Sequence, residues 1–438
     1  MGQSRSKKDL TTNIRASYVV GAGLSNTPST DGQIDSGYVL RAHSATSGNP
    51  DIPLIGSSAE DNLMVGGSPM QKPVWRPLFF RAVLNGAIVT TRFHIFGVSG
   101  RIRKITEIHS TAGNDAGAVT LHVTKSRGAV APGVGTSVMS GTFNLKGTAD
   151  TEQTATLSTS SADLEFVAND MLSIKLTGTA TTAAGVLIVV WVQYDLPVFE
   201  ASWWSAAATS QDQGFFIANR PYPLRSLQYV HAVKETTDAT ANVQVTVDDG
   251  TEAPGAGTDL LTNDGSAGFD INAVANVVQA GAFAATTLIE NERLGLDFNS
   301  TQTEGAGICI TATFNTEEMF RIEVPYWLYD GDNVDNWFFS ADRSYEIYDG
   351  RFLHAVAAGG TSTMNLEKAT GTTNASGGTA ILNTAINLNA TASTIQLTDL
   401  VSTLITRQIP GGYRVSMDFA NAEAATAGLL FTLSFRAR

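Results

Sequence analysis

The sequence predicts an all-β chain: three tandem antiparallel β-sandwich domains of jelly-roll or Ig-like type behind an irregular, extended N-terminal arm. Three observations predict it. Short runs in which Val and Thr alternate with polar residues recur along the chain, the pattern of half-buried strands. Gly, 41 of 438 residues, punctuates them at loop spacing. The runs also come back in register. His109, Gly128, Gly135-Thr136 and Gly185 are answered by His231, Gly250, Gly257-Thr258 and Gly307, then by His354, Gly371, Gly378-Thr379 and Gly428. The spacings agree to a residue or two (231 − 109 = 122, 354 − 231 = 123; 307 − 185 = 122, 428 − 307 = 121), so one folding unit is copied three times.

Residues 1–74 have no counterpart in the repeats and read as Gly, Ser, Asn, Asp and Pro around isolated apolar pairs such as Val19-Val20 and Leu54-Ile55. Such a segment buries little surface by itself and reads as an arm that docks elsewhere. Repeat 1, residues 75–198, shows strand patterns over 87–96, 102–110, 118–125, 137–145, 154–157, 171–178 and 186–194, with the continuous apolar run Val186 to Val192 suited to the middle of a sandwich. Repeat 2 spans 199–322 and repeat 3 spans 323–438, each beginning in an aromatic segment. Phe215-Phe216, Asn219-Arg220 and Tyr222 match Phe338-Phe339, Asp342-Arg343 and Tyr345, where repeat 1 has Phe93, His94 and Phe96. Connections such as Asp195-Leu196-Pro197 and Glu323-Val324-Pro325 are short and apolar, so the domains are expected as beads on a string packed firmly against their neighbours. Trp203, Trp204, Trp327 and Trp337 are expected to cement adjacent domains, with sugar-stacking platforms as the other reading.

Composition narrows the function. A net charge of −13 does not suit a nucleic-acid surface, which needs clustered Lys and Arg. The one cysteine, Cys309, sits in an apolar run and reads as a small buried hydrophobe. Arg5, Lys7 and Lys8 have no apolar stretch behind them and no run reaches the length of a membrane span, so neither a signal peptide nor a membrane partner is expected.

No constellation for chemistry stands out. The three repeated histidines invite a site used three times, yet no second ligand recurs beside them, and a structural role in which the ring bonds a neighbouring loop is expected. No Gly-Xaa-Ser-Xaa-Gly elbow is present. The stretch Asp330 to Asn336 offers oxygen ligands for Ca²⁺ but has Val334 at a ligand position and no glutamate at 341, and reads as a solvated turn without counterparts in the other repeats. Asp170 and Glu292 align across repeats and read as turn residues. The turns containing Gly133 and Gly135, or Gly255 and Gly257, lack the lysine and helix of a phosphate loop, and their glycines are expected to supply positive φ. No catalytic residue, cofactor or metal is expected.

Tandem sandwiches with Gly-Thr turns, Ala- and Thr-rich strands, an irregular arm and no catalytic constellation resemble the minor structural proteins of tailed-phage virions. The resemblance implies a non-enzymatic virion protein, made in the host cytoplasm, that decorates or cements a capsid. The major capsid protein or other virion proteins would be its partners, the arm its anchor and a homo-oligomer, a trimer above all, its assembly. The alternative is a tail fibre or adhesin engaging host-surface glycans.

Overall fold

The computed structural model describes residues 75–438 except 85–87, 210, 263–267, 300–301, 317–320, 329–334 and 421–426; before residue 75 it describes only the backbone of four short strands. Those four, Val39–Ala42, Ile52–Ser57, Leu63–Val65 and Ser68–Met70, pair antiparallel in sequence order. Leu54-Ile55, one of the apolar pairs read from the sequence, lies within one of them.

Among the described residues, each repeat has the same eight strand positions. In repeat 1 they are Arg76–Ala82, Thr91–Ile95, Gly100–Ile108, Thr120–Ser126, the short pieces Thr136–Ser137 and Phe143–Asn144, then Gln153–Thr154, Met171–Thr177 and Val186–Tyr194. One sheet runs in the order first, eighth, third, sixth, and the other second, seventh, fourth, fifth. The same order holds in repeat 2, from Val198–Ser205 to Ile308–Asn315, and in repeat 3, from Arg321–Leu328 to Ala427–Ala437. This is the double-sheet jelly roll.

The first strand of each repeat escapes the sequence pattern. Pro77 and Pro325 interrupt two of them, and a proline in a strand argues against a central position. The structure puts these strands at a sheet edge, where a missing N–H costs no ladder bond. The eighth strand shows the reverse. Val186, Ile188, Val190 and Val192 fill the core of repeat 1, whereas Leu187, Val189 and Trp191, also fully buried, point out of it. A strand apolar on both faces needs a second apolar body to cover the outer one.

That body is repeat 3, and its position corrects the beads-on-a-string expectation. The second strand of repeat 1 packs on the first and eighth strands of repeat 2, the second strand of repeat 2 on those of repeat 3, and the second strand of repeat 3 on the eighth strand of repeat 1. The three first strands touch one another pairwise. The repeats therefore close a ring around an axis lined by their first strands, and Trp75–Arg438 forms one compact unit.

Candidate functional site

The seams of the ring hold most of the buried chemistry. Arg81, Trp204 and Trp327 occupy one position of the first strand, opposite Leu187, Cys309 and Leu430 of their own eighth strands. Each lies on an aromatic of the preceding repeat. Trp204 stacks on Phe80 (4.9 Å, 18° between planes), Trp327 lies beside Trp203 (5.7 Å), and the Arg81 guanidinium sits 4.2 Å from the Tyr326 ring centre. Trp327 Nε1 donates to the Ser202 carbonyl (3.2 Å) and Arg81 Nη2 to the Pro325 carbonyl (3.2 Å), again at equivalent positions. The cycle 2 on 1, 3 on 2 and 1 on 3 is a pseudo-threefold arrangement. Burial lowers the Arg81 pKa to about 9, with Tyr326 opposing the shift. Between the first strands of the three repeats a cavity of about 20 Å³, lined by Arg81, His94, Glu200, Trp204, Pro325 and Trp327 among others, has the volume of one water.

The seam between repeats 1 and 2 centres on Glu200, whose side chain is wholly buried. His94 Nε2 lies 2.8 Å from its Oε2, and Tyr194 donates to the same oxygen at 2.7 Å. Oε1 accepts the Gly97 N–H (2.6 Å) and the Thr313 hydroxyl (3.0 Å). The His94 Nδ1 is bonded to Ser202 Oγ (2.7 Å), which in turn meets Thr311 Oγ1 (2.8 Å). Beside this network Ile95, Met171, Val230 and Cys309 pack together. Burial pushes the Cys309 thiol up to about 12, so it is a hydrophobe here and no nucleophile.

The other two seams reuse the positions with different groups. Ile217 N–H donates to Thr432 Oγ1 (3.2 Å) between repeats 2 and 3, as Ile95 N–H does to Thr311 (3.1 Å) between 1 and 2. Glu323 stands where Glu200 does, bonded to Ser434 and reached by Arg220 (3.6 Å), and burial raises its pKa against the pull of Ser434, Tyr222, Arg220 and Arg76. Between repeats 3 and 1 the seam is aromatic. Trp191 meets Phe339 (5.8 Å) and Tyr345 (6.1 Å), Trp337 Nε1 donates to Asp150 Oδ1 (2.9 Å), and Arg414, lying over Trp337 (4.3 Å), donates to the Asp150 carbonyl. The tryptophans singled out from sequence thus all lie at seams, and Trp203 and Trp337 are fully buried. Sequence reasoning missed His94, Glu200, Arg81 and Trp191. The signal available for the first three was a polar residue in a strand that otherwise reads as core, and for Trp191 a strand apolar on both faces.

The repeated histidines are turn clasps. The rings of His109, His231 and His354 are buried, and Nε2 bonds the carbonyl of Gly147 (3.3 Å), Ala273 (3.1 Å) or Ala390 (2.9 Å). Each histidine's own carbonyl accepts the N–H of Asp150, Asn276 or Ser393, three residues farther on and at φ 56°, 65° and 56°. In repeat 1, burial lowers the His109 pKa but the hydrogen bond and charge of Glu107 more than reverse it. In the others burial wins. His231 and His354 lie below their ordinary value of 6.5 despite their carbonyl partners. A neutral ring in the fold and a protonatable one in the unfolded chain give stability that is fully present above about pH 6.5 and is lost as pH falls through the depressed folded values. His109, with its raised pKa, contributes the opposite sign in parent and variant alike, so the test is comparative: between pH 7.5 and pH 5 the urea midpoint of the double variant H231Q/H354Q is expected to shift upward relative to that of the parent, and parallel slopes would contradict the assignment.

The repeated glycines divide into two kinds. Gly185, Gly307 and Gly428 take φ of 63°, 66° and 62°, and Gly133 and Gly255 also have positive φ, as expected. Gly135, Gly257 and Gly378 differ: a Cβ on them would come within 2.1, 2.0 and 2.6 Å of the carbonyl oxygens of Lys125, Val247 and Lys368. For Gly135 and Gly257 the positive-φ expectation therefore gives way to close backbone approach.

Asp170 Oδ2 accepts the Val167 N–H (3.0 Å) and Glu292 Oε2 the Ile289 N–H (2.7 Å), both closing turns. Most of the acidic stretch from Asp330 lies outside the described residues, but Asp335 accepts the Phe419 N–H (2.8 Å), as Asp212 does from Phe298 (2.9 Å) and Thr90 from Leu176 (3.0 Å). Asp335 thus has counterparts in both other repeats, contrary to the expectation for that stretch. Among the described residues no group of three or more His, Cys, Asp or Glu is placed to hold a metal, and no helix is long and apolar enough to cross a membrane. No protein-family model, curated protein or solved structure matches the chain.

Proposed function

We propose that the chain is a non-enzymatic structural protein of a phage particle, which binds the capsid, decorates or stabilises it, and uses residues 1–74 as its anchor. The observation that carries this reading is the ring itself. Three jelly rolls bury their reactive side chains in seams and turns, and Glu200, His94, Arg414 and the repeated histidines all have structural partners. Such a body presents a rigid surface, and rigidity serves attachment because few degrees of freedom are lost on binding. The threefold form expected of an assembly of chains is already built within one. Trp203 and Trp337, which a glycan-binding fibre would use as platforms, have no face open to solvent.

Deleting residues 1–74 is expected to remove the protein from particles while leaving the ring folded, with occupancy read by quantitative gel or mass spectrometry of purified virions. Unchanged occupancy would sink the anchor, and absence of the full chain from virions would sink the reading as a whole.

A further inference from the structure

We propose that repeat 1 carries a binding site for a small oxyanion, a carboxylate or a phosphate, beneath the turn that follows its fourth strand. The site begins as a row of side chains across one sheet. Ser173 of the seventh strand is paired with Arg92 of the second and with Thr124 of the fourth. Arg92, Thr124 and Ser173 are 0%, 3% and 1% exposed, and Ser126, two residues beyond Thr124 and so on the same face, is 8% exposed. Among the described residues, Arg92 Nε and Nη1 and the hydroxyls of Thr124, Ser126 and Ser173 have no hydrogen-bond partner. Arg92 Nη2 is engaged, on Asn276 Oδ1 across the seam (2.7 Å) and on the Val130 carbonyl of the turn. Buried polar groups are nearly always paired, so such a group of atoms in one place calls for a partner.

The other repeats fill the same place with a carboxylate of their own. In repeat 2 Asp248 stands where Ser126 does, and it accepts the N–H groups of Gly255 (3.2 Å) and Gly257 (3.1 Å) from the turn. In repeat 3 Glu367 stands where Thr124 does, opposite Ser416 as Thr124 is opposite Ser173, and it accepts the Gly378 N–H (2.8 Å). The turns are equally long, residues 127–135, 249–257 and 370–378, so Gly135 is the counterpart of Gly257 and Gly378. Repeat 1 has this turn with a hydroxyl at both carboxylate positions and a guanidinium where the others have Gly214 and Trp337. Hydroxyls, a turn N–H and a positive charge together are the chemistry that holds an anion.

The approach is open to solvent. Ser126, Val130 and Gly135 line a cleft of about 500 Å³ with Lys125, Arg127 and Asp170. Asp170 is already committed, its Oδ1 lying 3.2 Å from Arg127 Nε and its Oδ2 accepting the Val167 N–H. Lys125 Nζ donates to the carbonyls of Ala162 and Glu165, which leaves Arg92 as the cation of the site. Burial lowers the Arg92 pKa to about 10, and the neighbour that opposes the shift is Cys309 rather than a carboxylate. An oxyanion here would accept from Arg92 and the hydroxyls, and from Gly135 N–H in the way that Glu367 accepts from Gly378.

The test uses the full chain with inorganic phosphate and, separately, acetate, followed by isothermal titration and by melting against chloride at equal ionic strength. At least one probe is expected to bind at one site per chain and to raise the melting temperature by about 3 °C at about 100-fold excess over Kd. T124E copies the glutamate and serine of repeat 3. S126D/S173G copies repeat 2, where a Cβ on Gly295 would come within 2.2 Å of Asp248 Oδ2, so this copy needs both changes. Each variant supplies a carboxylate from the chain, and each is expected to melt higher than the parent in chloride and to lose the titratable site. The general stabilisation that phosphate gives a folded protein persists in both variants, which separates it from binding at the site. No saturable binding of either probe by the parent, or binding by a folded variant as tight as the parent's, overturns the proposal. Should one variant fail to fold, the other decides, and neither result bears on the virion reading.

Discussion

Replacing Glu200 with Ala is expected to destabilise the ring by roughly 3–5 kcal/mol, because several buried hydrogen-bonding groups lose their partner at about 1–3 kcal/mol each. The carboxylate satisfies the His94 ring, the Gly97 N–H and the hydroxyls of Tyr194 and Thr313. Alanine would leave these groups buried beside an enlarged cavity and cut off from bulk solvent, because the Glu200 and His94 side chains are 0% and 1% exposed. Glu200→Gln keeps the volume and part of the bonding and is expected to lose less than half as much. Urea unfolding followed by tryptophan fluorescence measures both. A loss under about 1 kcal/mol in the Ala variant, within the range of an exposed ion pair, would show that the network does not hold the seam.

Trp191→Ala carries the second large effect, roughly 3–5 kcal/mol from lost contacts and the cavity left behind. This substitution separates a closed ring from an open row. In a row of domains the outer face of the eighth strand of repeat 1 would meet water, and truncation there would change stability by no more than about 0.5 kcal/mol. In the ring Trp191 is fully buried against Phe339 and Tyr345, which belong to the far end of the sequence. Calorimetry of the variant, with limited proteolysis to locate the opened seam, decides between the two.

The repeat, the turn glycines and most long strands were legible in the amino-acid sequence because local physics controls them. Alternation marks a half-buried strand, and Asn169, Asn291 and Gly412, at φ 71°, 72° and 80°, are residue types that tolerate the left-handed region. Ring closure was hidden for a different reason. The positions that make the seams are shared by the three repeats, but their residues are not: Arg81, Trp204 and Trp327 do one job with a cation and two indoles. A pattern search weights identity, whereas a seam asks only that each partner be filled and each polar group paired. Glu200 and Glu323 match in register, yet one meets a histidine and the other a serine and an arginine, so no motif announces them. The histidines drew attention by recurring, and recurrence there reflects a turn that each copy must clasp.

The noncovalent seam between repeats 3 and 1 has a consequence for biosynthesis. Arg81 bonds the carbonyl of Phe338, 257 residues away, so this seam cannot form until the last repeat has left the ribosome. Translation at about 5–20 residues per second leaves the outer face of Trp191 without its partner for on the order of 10 to 50 s. During that interval the nascent chain carries an unsatisfied apolar surface that any other nascent copy could cover with its own third repeat. Slowing elongation over the last third of the message therefore favours exchange between chains, and dilute, rapid synthesis favours rings closed by a single chain.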